Sequence, residues 1–488
     1  MTSSLELLPQ ELLEEVCLYG TLEDLRALRL ASRELRRKSI YIFGSRYLHS
    51  VSAMISPSSL NAIQEIAGRE ELQQHVQDVT IGPERLSSNL PVEPLRTSYK
   101  ARLAAQNEFE SRGDDHRLLA AIFASLPNLR WIRVGPWGQM CYDPYFRPKL
   151  SIGAKEIKKT YFRPSKADHS TLKVLQQFHN YDNDHAYREF GVVFKALRAS
   201  GISRPLLDLH LCARDPHVEK YEVPQREPFD LDSRDWKAVH PLLRAVHISL
   251  LRWEHRFSLP WLQQFLPVLP EHLEQIIIEH YFNAVHDGQG RVNSLHLLSQ
   301  GNLPNLTRLV VDFYYAPEEK DLNALLKMLS PSLETLVLSQ FHWGYRSDAS
   351  WHGIFRTIMG MKSLRAVHLY ELEAFGSQPG IPSDKIVHKC FPEYDREHRT
   401  KNDSIPRFGP EGEEWKFCDE GRAVDLYGQA EIQEELGYAI AHGKWHLTCD
   451  EWGHSTHFMV WFRTKPGKAM QAEGHSIYNG ERPIWKTA

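Results

Sequence analysis

Five side chains near the end of the chain, His442, His446, Cys449, His454 and His457, are best suited by type and spacing to do chemistry. Imidazole nitrogen and thiolate sulfur are ligands that zinc accepts, and four of them would close a tetrahedral site. A bound ion with an open position would activate water, and the chain would then be a metal-dependent hydrolase. Two observations weigh against this. The spacing matches no familiar zinc pattern, and a local cluster is unsurprising in a chain with 25 histidines. Hairpin or surface packing is the simpler role, so no cofactor and no metal ligand is expected. The sequence also lacks HExxH, GxSxG, GxGxxG and the Walker lysine loop, so no catalytic residue is assigned and the chain is not read as an enzyme.

The elements that would hold this cluster are short. A helix is expected over Glu431–Ala441, then two strand-like pieces, Lys444–Thr448 and Thr456–Phe462, that suit a hairpin. Before them, from about Gly376, the runs SQPGIPSDK and PEYDREHRTKNDSIPRFGPEGEE are polar and broken by Pro and Gly, the composition of a linker. Residues 376–488 therefore read as a linker followed by a helix and hairpin cap.

Bulk properties exclude several classes. A formal net charge of −4 gives no reason to expect nucleic acid or a membrane surface as partner. The start, MTSSLELLPQELLEE, is acidic where an export signal would be basic and then apolar. No apolar run approaches the roughly 18–20 residues that a spanning helix requires. Six scattered cysteines without a CxxC pair suit a reducing compartment, so a cytoplasmic or nuclear location is expected.

Between residues 46 and 375 a short unit recurs, apolar-x-x-apolar-x-apolar. Its copies are Val76/Val79/Ile81, Leu129/Ile132/Val134, Leu206/Leu209/Leu211 and Leu243/Val246/Ile248. Four more are Leu273/Ile276/Ile278, Leu306/Leu309/Val311, Leu333/Leu336/Leu338 and Leu364/Val367/Leu369, and the last five begin 30, 33, 27 and 31 residues apart. Each ends as a strand would, with alternate side chains inward. Helix-like stretches precede most copies, at Leu118–Leu126, Tyr187–Ala199, Leu322–Leu329 and Trp351–Met359. One strand and one helix per repeat is the unit of an irregular leucine-rich-repeat-like α/β solenoid, in which only stacking buries each face. An ordinary α/β domain is the rival, favoured by the uneven periods and the missing asparagine ladder.

Residues just past the strand ends are unusually aromatic. Trp137, Trp253, Tyr281, Phe313, Tyr315, Phe341 and Trp343 are candidates for a target-binding rim, since every repeat would turn at the same place. The same rings could instead plug the sheet edge. A basic stretch, Arg147, Lys149, Lys155, Lys158, Lys159, Arg163 and Lys166, lies in a long insertion and reads mainly as solvated surface.

The first 45 residues are a separate matter. Pro9 and Glu11 suit a helix start, Leu12, Leu13 and Val16 form one apolar stripe, and Gly20 ends the helix. Thr21 with Asp24 forms a capping box before a second stripe, Leu22, Leu25 and Leu28, and Ser32 caps a third helix holding Leu35 and Ile40. About 40 residues seldom bury enough surface to stand alone, so surplus apolar surface here points to a docking role.

The order Leu8-Pro9-x-Glu11-Leu12, then Val16, then Asp24-Leu25, Leu28 and Ser32-Arg33-x-Leu35 resembles an F-box, in the form common in filamentous fungi. Leu35 stands where many members of that family carry tryptophan. The resemblance covers residues 5–45 and implies a three-helix F-box whose Leu8, Pro9, Glu11, Leu12, Val16, Leu25, Leu28 and Leu35 bind a Skp-type linker protein. That linker would join the chain to a cullin ubiquitin ligase, and the repeat region would hold an unknown protein substrate. A scaffold in a Skp-containing complex, without a role in degradation, is the alternative. The expected organisation is thus an F-box at 1–45, a repeat region at 46–375 and a cap at 376–488.

Overall fold

Alternate residues of the recurring apolar segments vanish from solvent, and this burial makes them strands. The computed structural model describes residues 5–82, 84–86, 96–135, 151–153, 187–203, 206–214, 229–251, 260–281, 294–312, 315–316, 319–339, 342–343, 351–370, 373–374, 423–442, 444–450 and 453–459. Seven of the eight segments place all three of their apolar residues in the core. The exception is Leu206, which opens its strand half-buried while Leu207, Leu209 and Leu211 form the buried set. The chain is mixed α/β with mostly parallel strands.

Two compact units divide it, Met1–His210 with Arg226–Leu243, and Leu211–Gln225 with Arg244–Ala488. The first begins with four helices, α1 (Gln10–Tyr19), α2 (Leu22–Ala31), α3 (Arg33–Lys38) and α4 (Ile40–Tyr47), then strand β1 (Ser50–Met54). It continues with α5 (Pro57–Ala67), α6 (Glu70–Gln73), β2 (Asp78–Gly82), α7 (Arg96–Ser111), α8 (Asp114–Ala124), β3 (Trp131–Val134) and α9 (Arg188–Ser200). Strand β4 (Leu206–Arg214) crosses the boundary, and α10 (Arg234–Val239) packs against α9. Strands β1 to β4 pair in parallel and in chain order, while α8 packs on α5 and α9.

The second unit holds β5 (Leu243–Leu251) apart from its first residue, α11 (Pro260–Phe265), β6 (Gln275–Tyr281), α12 (Ser294–Ser299), β7 (Arg308–Asp312), β8 (Tyr315–Ala316), α13 (Glu319–Leu329) and β9 (Thr335–Ser339). After these come β10 (His342–Trp343), α14 (Trp351–Gly360), β11 (Ala366–Tyr370), β12 (Glu373–Ala374), β13 (Ala423–Tyr427), α15 (Gln429–His442), β14 (Lys444–Asp450) and β15 (Gly453–Met459). Strands β5, β6, β7, β9 and β11 pair in parallel in that order. Helices α12 to α15 pack each on the next. Strand β13 then runs antiparallel to β11, covering an edge that a further parallel strand would otherwise occupy. No strand was expected at 423–427, which lies between the linker-like runs and the helix expected from Glu431.

One hydrogen-bond motif recurs in the turns. Asn128 Nδ2 donates to the Gln74 carbonyl at 2.7 Å, Asn305 Nδ2 to Glu271 at 3.0 Å, and Ser363 Oγ to Pro331 at 2.7 Å. Each donor stands three residues before its strand, and each acceptor four residues before the preceding strand of the sheet. A side-chain ladder does exist, carried by Asn and Ser at the strand entrances rather than by a strict asparagine series. No helix among the described residues is long and apolar enough to cross a membrane.

Candidate docking surface

The site is built by helix α1 and held by its three neighbours. Pro9 occupies the N-cap of α1, where its missing N–H costs nothing, and its carbonyl accepts from Leu13 N at 3.1 Å. Thr21 and Asp24 form the expected capping box at the start of α2. The Ser32 hydroxyl accepts from the N–H groups of Glu34 and Leu35, opening α3. Ser39 then breaks the helix, its hydroxyl donating to the Leu35 carbonyl at 2.7 Å, so Ile40 belongs to α4 and not to α3.

These elements enclose a small core of Leu13, Cys17, Leu25, Leu35 and Ile42, with Leu8, Leu28, Phe43 and Tyr47 packed against it. Burial and the neighbouring Glu14 carboxylate raise the Cys17 thiol above its ordinary pKa, so it stays a packed, unreactive thiol at neutral pH. Arg46 satisfies the open end of α1, its guanidinium donating to the carbonyls of Cys17, Leu18 and Gly20 at 2.7–3.0 Å. Lys38 ties down the leading segment through the carbonyls of Glu6 and Leu8, both at 2.8 Å. Helix α4 packs on α6, and a Cβ added at Gly44 would run into the ring of His75, just past α6. A larger residue there would have to displace that ring.

The sequence reading takes Leu12, Leu13 and Val16 as one buried stripe, and the structure corrects it. Leu13 and Cys17 face the core, whereas Leu12 is 49% exposed and Val16 52%. With Tyr19, 85% exposed, these two follow i, i+4, i+7 spacing and form an outward apolar stripe. Eight of the ten exposed large apolar side chains among the described residues fall between Leu5 and Tyr41.

The expected linker-binding residues therefore separate by burial. Pro9, Glu11, Leu12 and Val16 are exposed, and Leu8 and Leu28 are half-buried. Leu25 and Leu35 are core residues, inaccessible because they are the contacts that hold α2 and α3 together. Leu5, Leu7, Leu18, Tyr19, Leu30 and Tyr41 were missed. For Tyr19 the signal was present, since it continues the Leu12/Val16 row one turn on.

The candidate rim fares differently. Trp137, Trp253, Phe313 and Phe341 lie outside the described residues, as do the insertion cations from Arg147 to Lys166. Tyr281 ends β6. Tyr315 and Trp343 belong to a second, three-stranded parallel sheet, β8–β10–β12. Its register places Tyr315 in a row with His342 and Glu373, and Trp343 in a row with Ala316 and Ala374. The two aromatics thus occupy different rows of the register.

In the hairpin of β14 and β15, His446 pairs with His457 and Cys449 with His454. A scan of protein-family models gives no match, and no curated protein matches the chain.

Proposed function

We propose that the chain is a substrate-recruiting adaptor of an SCF-type (Skp–cullin–F-box) ubiquitin ligase. The observation that carries this reading is the outward stripe of Leu12 and Val16, which coincides with positions of the F-box pattern. Such exposure in a small helical module calls for a covering partner. In this reading α1 to α3, braced by α4, bind a Skp-type linker, and the strand repeats form a leucine-rich-repeat-like solenoid that presents a protein target. The recurring ladder of Asn128, Asn305 and Ser363 supports the solenoid, because equivalent turns repeat the same bond. Strand β13 and helix α15 would be its cap.

The chain itself would then perform no chemistry. It would raise the effective concentration of target lysines beside a charged conjugating enzyme. Affinity purification of the full chain from its own cells tests this. Linker and cullin are expected together, with one or more further proteins that accumulate when the chain is deleted. Recovery of neither linker nor cullin would refute the reading, and linker without cullin would favour the scaffold role.

A further inference from the structure

Among the described elements, the four leading helices meet the strand-bearing part of their unit chiefly where α4 packs on α6. One ionisable side chain, His75, is wedged into that joint. It follows α6, with its N–H bonded to the Leu72 carbonyl at 3.0 Å. Its ring lies so close to the Gly44 backbone that a Cβ there would stand 2.8 Å from Nε2, and the Tyr41 ring sits edge-on to it at 5.1 Å. Nε2 is sealed from solvent and meets no hydrogen-bond partner among the described residues. A neutral imidazole tolerates this, because Nε2 can be the nitrogen without a proton. An imidazolium carries N–H on both nitrogens, so protonation would place a charged donor where neither water nor an acceptor answers it. Tyr41 is the titratable group that faces the ring from α4, whose cation Arg46 is turned to the α1 carbonyls. On α5, α6 and the turn between them, Glu65, Arg69, Glu70 and Glu71 are exposed. Burial, rather than any of these charges, lowers the His75 pKa below its ordinary 6.5.

We propose that this joint is an acid-released latch: a neutral His75 ring fastens α4 to α6, and its protonation loosens the four leading helices from the rest of their unit. The closed joint refuses a proton that the loosened chain accepts. Closure is therefore complete above pH 6.5 and weakens as pH falls through the lower native value. A phenyl ring would fill the same space without titrating, so the histidine supplies a response that packing does not require. The latch concerns the joint and takes no residue from the Leu12/Val16 stripe, so it stands or falls apart from linker binding.

The test is hydrogen–deuterium exchange of the full chain at pH 7.5 and pH 5, with protection corrected for intrinsic exchange rates. In the wild-type chain, protection across Ile40–Tyr47 should fall at least about fivefold at the lower pH, while β6 and β7 in the other unit keep theirs. In His75→Phe, which keeps a ring in the wedge, the fall should disappear. His75→Asn, smaller and equally unable to titrate, gives the same readout should phenylalanine not fit. Equal wild-type protection at the two pH values, an equal fall in β6 and β7, or a fall that persists in either variant would overturn the proposal.

Discussion

The four leading helices and the strand repeats use the same apolar residue types with opposite results. In the repeats Leu309, Leu336 and Val367 are fully buried, each on a strand paired on both sides. In the helices Leu12, Val16 and Leu30 face solvent. The difference is one of neighbours. A repeat acquires one on each side by stacking, whereas four short helices can enclose only the five residues from Leu13 to Ile42. Surface that the fold itself leaves uncovered is available to a partner.

The largest effect that sharpens this contrast is a core deletion. Leu309→Ala should cost about 2–5 kcal/mol in urea unfolding, because it leaves a cavity between β6, β7 and β9. Leu12→Ala should stay within about 0.5 kcal/mol. Similar costs for the two would break the comparison.

A second effect is pH-dependent. Glu189, buried at the start of α9, is raised to about 7 by burial, with the Glu84 carboxylate acting in the same direction. Its folded pKa lies above the ordinary 4.5, so the native chain keeps a proton that the unfolded chain releases. Its stabilising contribution is complete below pH 4.5 and is lost as pH rises to about 7. Unfolding at pH 8 should therefore require less urea than at pH 5, by up to about 3 kcal/mol. Glu189→Gln should flatten that difference, and an unchanged pH profile would show that the carboxyl is not sealed as described.

Smaller effects follow. Ser32→Ala should cost about 1 kcal/mol and fray α3, visible as faster amide exchange at Glu34 and Leu35. Asn305→Ala removes one rung of the turn ladder and should cost about 0.5–1 kcal/mol. Loss at Asn305 with none at Ser363→Ala would mean that the turns are not equivalent.

Much of this was legible in the residues. The capping box at Thr21, the cap at Ser32 and the stop at Gly20 are local chemistry, and the structure keeps all three. The helices read at Tyr187–Ala199 and Trp351–Met359 appear at Arg188–Ser200 and Trp351–Gly360. Strand β1 escaped because its copy of the motif, Leu48/Val51/Ala53, ends on a residue too small to mark a strand. The two-residue strands β8, β10 and β12 carry no periodic signal; their pairing depends on where longer strands end. Periodicity located the apolar residues of α1 but could not say that Leu13 turns inward and Leu12 outward. That choice is made by Leu25, Leu35 and Ile42, which are distant in sequence.

The most direct test of the docking account is equilibrium binding between the purified full chain and a Skp-type linker, compared with an L12D/V16D variant of unchanged circular dichroism. The account predicts a 1:1 complex for the wild-type chain and at least about hundredfold weaker binding for the variant, since two apolar contacts of about 1.5 kcal/mol or more are lost. Equal affinity for both chains, or no complex with either, would contradict it.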